Sequence, residues 1–370
     1  MQAPHFRRKP HPPAATVEKP IPTRPAPPRS ILLVKTSSLG DVIHNLPVAS
    51  DLRRRYPEAQ IDWLVEEGFV DIPRLHPAIR RTLPVALRRW RKTLLHPATW
   101  REIAALLDEL QQEAYDLVLD TQGLLKSALL TQRTRLQPAG RRCGYAAEAA
   151  REPIAARFYT DTYAIPKNIH AVERNRWLAA AACEDVIDTP PDYGLSATRP
   201  ILPNGLGLSL NPGQPYAVLL TATSRDDKLW PEDRWRPLIR QLIQQGLCCL
   251  LPAGSATERA RAEHLATSLE VEAPHYLQVL PPQSIAELAG ICAGARLVIG
   301  VDTGLTHLAA ALGRPTLALF CASHPGLTGV YPGAPASTPA INLGTHGTLP
   351  DVATVLLASQ ELLSQGRQTS

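Results

Sequence analysis

Ile31-Leu32-Leu33-Val34-Lys35-Thr36-Ser37-Ser38-Leu39-Gly40-Asp41 is an apolar run that gives way to a small, hydroxyl-rich loop. A helical pattern through Val42, Leu46, Ala49 and Leu52 follows it. The stretch therefore reads as a first β-strand, its loop and the start of a first helix. In open α/β sheets, ligands bind outside the carboxyl ends of the strands, where such loops lie. Small residues there let the backbone approach a ligand, and Gly40 permits a turn that other residues resist. Asp41 stands at the helix start with its carboxylate turned to the cleft. Two roles suit it: a helix cap, for which Asp is a preferred residue, and a base beside a bound substrate.

Beyond this stretch, strand and helix patterns alternate. Strands are expected at Ile31–Lys35, Gln60–Val65, Asp116–Asp120 and, more weakly, Arg141–Tyr145. Helices are expected at Val42–Arg55, Thr99–Glu113, Leu124–Leu136 and His170–Cys183. A stretch rich in Pro, Gly, Asn and Ser, 189–215, reads as a linker, part of which can pair as an edge strand. A second series then runs through strands Tyr216–Thr221, Leu247–Leu251, Tyr276–Val279, Leu297–Val301 and Thr316–Phe320. Helices between them are expected at Pro231–Gln244, Ala256–Leu269, Ser284–Ala293 and Leu305–Leu312. The class is α/β, with two parallel-sheet domains of Rossmann-like pattern facing a central cleft. The divisions are a disordered, Pro-rich tail at 1–30, a first domain at 31–195 and a second at 196–348. The remainder, 349–370, is a helix near Asp351–Leu363 and a tail, with the helix expected to pack back across the domain junction.

Composition narrows the function. The 370 residues are 44% hydrophobic and 20% charged, as in ordinary globular chains, and the length suits two domains. A net charge of +5 favours an anionic ligand or a membrane surface if the cations cluster. Aromatics are only 5%, too few for a platform of stacked bases, so no nucleic-acid partner is expected. The six cysteines form no CxxC pair and mostly sit in apolar runs, so they read as buried thiols of a reducing compartment. No metal-ligand spacing is present, and neither metal nor cofactor is expected. No apolar run is long enough to span a bilayer, and the basic, Pro-rich start is unlike a signal peptide. The expected place is the cytoplasm, with peripheral membrane contact. The chain lacks G-x-G-x-x-G, G-x-x-x-x-G-K-[ST] and G-x-S-x-G, which argues against a dinucleotide dehydrogenase, a P-loop kinase and a serine hydrolase.

A second site is expected after strand Leu297–Val301, at Asp302-Thr303-Gly304-Leu305-Thr306-His307. A helix starting at Thr303–Gly304 offers free backbone N–H groups and the positive end of its dipole to a phosphate. Gly304 is expected to leave room for a diphosphate, and His307 lies one turn on. Capping by Asp302 and Thr303, and a satisfied core position for His307, are the structural alternatives. The loop Thr221–Pro231 carries Thr223, Ser224 and Lys228, whose hydroxyls and point charge suit diphosphate oxygens. Its Arg225–Asp227 segment also suits a solvated, self-paired loop. The loop after Leu251 brings Glu258 to where a ribose would lie, though a first-turn Glu complements a helix dipole in any case.

Taken together these stretches resemble the lipopolysaccharide heptosyltransferases of Gram-negative bacteria, and within them the type I branch. The resemblance covers the chain from Ile31 onward. It rests on Lys35–Asp41, Trp63-Leu64-Val65-Glu66-Glu67-Gly68-Phe69 and Arg88-Arg89-Trp90-Arg91-Lys92. It also rests on Asp120-Thr121-Gln122-Gly123-Leu124-Leu125-Lys126-Ser127-Ala128, His170-Ala171-Val172-Glu173-Arg174, Arg225-Asp226-Asp227-Lys228 and Val301–Gly304. It implies the two-domain GT-B fold, with acceptor on the first domain, ADP-heptose on the second and inversion at the anomeric carbon. The substrates so implied are ADP-L-glycero-D-manno-heptose and the Kdo of Kdo2-lipid A, on the cytoplasmic side of the inner membrane.

By position, Asp41 matches the family's catalytic base. Thr223, Ser224, Lys228, Glu258, Asp302, Thr303, Gly304 and His307 match its donor site, with Lys228 also stabilising the departing ADP. Ser38, Gly40, Arg88, Arg89, Arg91, Lys92, Lys126 and Arg151 match the acceptor side, and Trp90 among the cations favours acceptor or membrane-surface contact for the run 88–92 over a solvated helix or loop face. Two departures are Ser224 in place of a common Thr and Ala253 in place of a Trp beside the nucleotide. The rival readings are a type II or other GT-B sugar transferase, and a silent protein that binds nucleotide sugars or lipid A.

Overall fold

The computed structural model describes residues 26–195, 198–200, 213–269, 276–333 and 339–365. Most of the expected tail and the centre of the expected linker lie outside these residues. The first sheet holds β1 (Ser30–Val34), β2 (Gln60–Glu66), β3 (Ile79–Val85), β4 (Ala114–Asp120), β5 (Arg135–Tyr145) and β6 (Asp161–Tyr163). The second holds β7 (Tyr216–Leu220), β8 (Cys248–Leu251), β9 (Leu277–Val279), β10 (Leu297–Val301), β11 (Thr316–Leu319) and β12 (Ala340–Leu343). Their orders are β3-β2-β1-β4-β5-β6 and β12-β11-β10-β7-β8-β9. Counted from its own first strand, each sheet thus has the doubly wound order 3-2-1-4-5-6. Neighbouring strands pair in parallel throughout, β1 lying between β2 and β4, and β7 between β8 and β10. This is the two-domain arrangement the resemblance implies.

The first-domain helices are α1 (Leu39–Ile43), α2 (Leu46–Arg55), α3 (Asp71–Arg74), α4 (Leu87–Trp90), α5 (Pro97–Gln112), α6 (Leu125–Gln132) and α7 (Ala171–Cys183). The second domain adds α8 (Glu232–Gln244), α9 (Ala256–Thr267), α10 (Ile285–Gly294), α11 (Gly304–Ala311), α12 (Pro325–Thr328) and α13 (Val352–Gln365). Side chains alternate across a strand, so a central strand of such a sheet is apolar on both faces. In β1, Ile31 and Leu33 join the core under α2 and α7. Leu32 and Val34 face the opposite core with Trp90, Leu106 and Leu110 from α4 and α5.

Several elements differ from the sequence reading. The helix expected over Val42–Arg55 is two helices, because Pro47 in the first turn of α2 cannot continue the bonding ladder of α1. The helix expected to reach Leu136 stops at Gln132, and Arg135 and Leu136 instead pair with Ala114 and Tyr115 at the start of β5. Strands β3, β6 and β12 were not anticipated, and all three are sheet edges. Helix α13 buries Val355, Ala358, Leu362 and Leu363 in the second-domain core. It packs on its own domain rather than across the junction, because its apolar stripe meets α8 and the second sheet.

The junction is made by other elements. Helix α1 meets α11, α3 meets α10 and α7 meets α12. Ala289 and Leu308 of the second domain are buried in the first-domain core.

Candidate active site

The first-domain rim is built at the point where its sheet reverses direction, between β1 and β4. Gln122, just after β4, holds the β1 loop: its Oε1 accepts from the Thr36 N–H at 2.9 Å and the Ser37 N–H at 3.0 Å. Gln122 is itself set by Asp120, whose Oδ1 accepts its N–H at 2.8 Å. Gly123 continues this turn at φ 65°, a conformation that favours glycine. Beneath the loop, buried Lys35 donates from Nζ to Thr121 O at 2.7 Å and to Asn175 Oδ1 at 3.3 Å. Burial pulls this ammonium below the usual lysine range, against the opposing pull of Asp41 and Asp120.

Asp41 occupies the third position of α1. Its Oδ2 accepts from the Ser38 N–H at 2.8 Å and the Ser38 hydroxyl at 3.0 Å. The carboxylate is therefore a cap, as one of the two readings has it. Both bonds fall on one oxygen, and among the described residues no hydrogen bond reaches Oδ1.

The second-domain rim repeats the design between β7 and β10. Asp302, buried after β10, is its hub. Its Oδ2 meets Lys228 Nζ at 2.7 Å and accepts from the Ser323 hydroxyl. Its Oδ1 lies 3.5 Å from His307 Nε2, and its backbone carbonyl accepts from Thr223 Oγ1 at 3.0 Å. Burial pushes the Asp302 carboxyl up, but the bonds from His307, Lys228 and Ser323 outweigh it and hold the group below the usual carboxylate range. His307 continues to His44 of the first domain, Nδ1 to Nε2 at 3.2 Å. His44 also sits edge-on to His170, with ring centroids 5.4 Å apart. Burial, with the nearby charges of His307, His170 and Lys35, drives the His44 imidazole well below its ordinary range.

The two rims meet. An open cleft of about 840 Å³ is lined by Ser37, Ser38, Asp41, Lys126 and Arg151 from one domain and by Ser224, Arg225 and Lys228 from the other. A deeper recess of about 240 Å³ behind Asp41 is lined by Lys35, Tyr145, Arg151, Lys167, Arg174 and Asn175. On the second domain a cavity of about 250 Å³ is bordered by Thr223, Ser224, Ala253, Glu258, Thr303 and Leu305. The first two amides of α11, on Gly304 and Leu305, find no acceptor among the described residues. An acid from one domain and a cation from the other thus face one solvent-filled space, beside a cavity of nucleoside size.

The expected site residues divide by position. Ser38, Asp41, Lys126, Arg151, Ser224 and Lys228 line the cleft. Thr223, Glu258 and Thr303 border the second-domain cavity. Glu258 also closes a capping box, its Oε2 accepting from the Ser255 N–H at 3.1 Å, and accepts from the Gly254 N–H at 2.8 Å. Asp302 and His307 stand behind the surface as support. At Gly304 a Cβ would lie 2.5 Å from the Leu39 side chain, so its smallness also serves the contact of α1 with α11. Gly40 answers it from the other side, where a Cβ would meet His307 at 3.3 Å.

The basic run lies away from the cleft lining. Arg89 is engaged by Glu67 and Glu102 at 2.9 and 2.8 Å. Trp90 is buried with its indole N–H on Glu102 at 2.8 Å, so it is a core residue and not a lipid contact. Arg88 lies over the Phe69 ring at 5.0 Å, and Arg91 and Lys92 are exposed. Arg225 pairs with Asp227, as the self-paired reading of that loop has it. Lys35, Gln122 and Arg174 stand within the quoted motifs but were given no role from the sequence, and Tyr145 and Asn175 were not singled out as site residues. A buried lysine directly after a central strand was the available signal. Among the described residues no group of three His, Cys, Asp or Glu side chains is placed to hold a metal, and all six cysteines are free and buried.

Comparison with known proteins agrees with this architecture. Residues 103–353 match glycosyltransferase family 9 (heptosyltransferase). Lipopolysaccharide heptosyltransferase 1 of Pseudomonas aeruginosa is 48% identical over 305 residues, covering 81% of each chain. The solved E. coli heptosyltransferase WaaC with ADP superposes with a TM-score of 0.77 at 38% identity, over 91% of this chain and 99% of that one. The same enzyme with ADP-2-deoxy-2-fluoro heptose gives 0.72 at 37%, over 92% and 99%. With its two facing doubly wound domains and its interdomain acid and cation, the chain belongs to glycosyltransferase family 9, the heptosyltransferases.

Proposed function

We propose that this enzyme moves L-glycero-D-manno-heptose from ADP-heptose to a hydroxyl of the Kdo in Kdo2-lipid A, with inversion, at the cytoplasmic face of the inner membrane. The observation that carries this reading is the shared cleft of Asp41 and Lys228. Transfer from a nucleotide sugar needs a base for the acceptor hydroxyl and positive potential for the leaving diphosphate. Asp41 supplies the first through Oδ1, which its capping bonds leave open. Lys228 and the Gly304 and Leu305 amides supply the second, acting on charge that develops as the glycosidic bond breaks. Asp302 holds Lys228 and orients it toward the cleft. The adenosine lies in the cavity bordered by Ala253 and Glu258, where the small Ala253 leaves base stacking weak.

The acceptor enters from the first domain. Lys126, Arg151 and Arg88 give its carboxylates and phosphates a cationic path into the cleft. The relatives named above support the donor, since one is solved with ADP and with an ADP-heptose analogue.

The test is release of ADP by purified protein supplied with ADP-heptose and Kdo2-lipid A. Asp41→Asn is the informative variant, because its amide oxygen still accepts the Ser38 bonds while the base is gone. Turnover should fall by roughly 10²–10⁴ with ADP-heptose affinity preserved. Near-wild-type turnover would remove Asp41 from the base role, and ADP release that ignores the acceptor would remove the transfer.

A further inference from the structure

Leu94, Leu95 and Trp100 are 48%, 98% and 58% exposed, and they lie together where α4 turns into α5. The turn is held in place. The Trp100 indole N–H donates to Leu94 O at 2.8 Å, and Thr99 Oγ1 donates to Thr93 O at 2.8 Å. Buried Thr99 and Trp90 anchor it to the core behind. The result is an apolar tip on a rigid base.

Cations flank it along the chain. Residues 86–102 contain Arg88, Arg89, Arg91, Lys92 and Arg101 against one acid, Glu102, which is taken up by Arg89 and the Trp90 indole. Arg91, Lys92 and Arg101 are exposed, and among the described residues they make no ion pair. Large exposed apolar side chains flanked by exposed cations match a bilayer with anionic headgroups: the tip enters the acyl boundary while Lys and Arg stay at the phosphates.

Charge argues against the other occupants. A second copy would bring two cationic flanks together. The chain's own tail carries Arg7, Arg8, Lys9, Lys19 and Arg24 against a single acid, Glu18.

The tip also has a defined relation to the cleft. Arg88, on the same turn, and Arg151 both act electrostatically on Lys126, which lines the cleft. Glu66 and Glu152 act on Lys126 as well, and the Arg88 N–H donates to Glu66 Oε1 at 2.9 Å, so cations and acids together lie between the acceptor side of the cleft and the tip. We propose that Leu94, Leu95 and Trp100 insert into an anionic bilayer, with Arg91, Lys92 and Arg101 on its headgroups. The proposal rests on the glycolipid-acceptor reading, since it sets the cleft beside the surface in which such an acceptor is embedded.

The experiment uses the full chain and vesicles of phosphatidylethanolamine with phosphatidylglycerol, against vesicles of phosphatidylcholine alone. Wild type should sediment with the first, less so as salt rises, and far less with the second. Leu94→Ser/Leu95→Ser should lower partition by at least about tenfold and reduce transfer to vesicle-embedded Kdo2-lipid A. Its rate on a water-soluble Kdo acceptor without acyl chains should match wild type. Arg101→Glu should weaken vesicle binding in the same salt-dependent way. Unchanged partition of the double serine variant overturns the proposal, as does equal binding to neutral vesicles. A wild-type dimer that the serine variant abolishes would assign the tip to a second copy and overturn it too. Failure of the soluble-acceptor assay in wild type would instead strike the transferase reading, leaving vesicle binding as a separate result.

Discussion

Asp302 and Lys228 form a pair in which each needs the other. A carboxylate that is only 8% exposed is costly unless its lone pairs are met. Here Lys228, Ser323 and His307 meet them, and the ammonium gains a fixed direction at the edge of the cleft. Lys228→Met keeps the length of the side chain and removes the charge. We expect kcat/KM to fall by roughly 10²–10³ and ADP affinity to weaken with it, as measured by steady-state kinetics and calorimetric titration. Wild-type values in both would leave Lys228 as a surface partner of Asp302 and no more. Asp41, Lys228 and Asp302 were legible because each follows a strand in a loop of small residues. Lys35 and Asn175 were not: their 3.3 Å contact joins β1 to α7 across 140 positions, a pairing that only the folded chain creates. His44 was hidden for the same reason, since its partner His307 belongs to the other domain.

Among the elements, sheet centres were readable and three of the four sheet edges were not, the exception being β9, which falls within the expected strand Tyr276–Val279. A central strand announces itself as an unbroken apolar run, as in Leu297–Val301. Edge strand β3 reads Ile-Arg-Arg-Thr-Leu-Pro-Val, and β6 is three residues long. Polar, short or proline-bearing edges protect a sheet from further pairing and erase the apolar signature with it. The arginines of β3 also neutralise a buried charge, since Arg80 and Arg81 both reach Asp62 of β2, at 2.7 and 2.8 Å.

The approach of α1 to α11 is an element-level device that depends on one missing carbon. Gly304→Ala would press a Cβ to 2.5 Å from Leu39, and relief requires the helices to part. We expect a loss of about 1–3 kcal/mol in denaturant unfolding. Adding Leu39→Ala should recover part of it, giving a double variant less destabilised than the two single changes predict together. Strict additivity would mean that the two residues do not meet in solution.

Across the molecule as a whole, pH acts through the buried imidazoles. His170 Nδ1 accepts the Val172 N–H at 3.2 Å, and its Nε2 faces Gly329 O at 3.1 Å across the domain junction. His76 Nδ1 likewise accepts the Ala78 N–H at 3.1 Å. A proton on either Nδ1 would turn an acceptor into a donor. Burial lowers both groups to about 4, the Gly329 bond and Asp192 opposing it respectively, while His44 lies well below its ordinary 6.5. A histidine depressed in the folded state takes up protons more readily when unfolded. Its contribution is complete above about pH 6.5 and is lost as pH falls toward 4, with a slope of up to about 1.4 kcal/mol per pH unit for each histidine. Asp302, depressed from the ordinary carboxylate value of 3.8, adds a further loss below that pH. Thermal melts should therefore drop by about 5 °C or more between pH 7 and pH 5. A melting temperature flat across that range would mean the imidazoles are hydrated rather than enclosed.

The touching ends of α1 and α11 also govern how the lobes can move. Leu39 rests on the backbone of Gly304, and Asp41 and Thr303 lie within two residues of that spot. A body that swings about a fulcrum moves least beside it. Any rocking of one lobe on the other therefore changes the width of the cleft that Lys126 and Arg225 line far more than it separates Asp41 from α11. The gape can therefore change while the placing of Asp41 against the start of α11, beside the pivot, stays set.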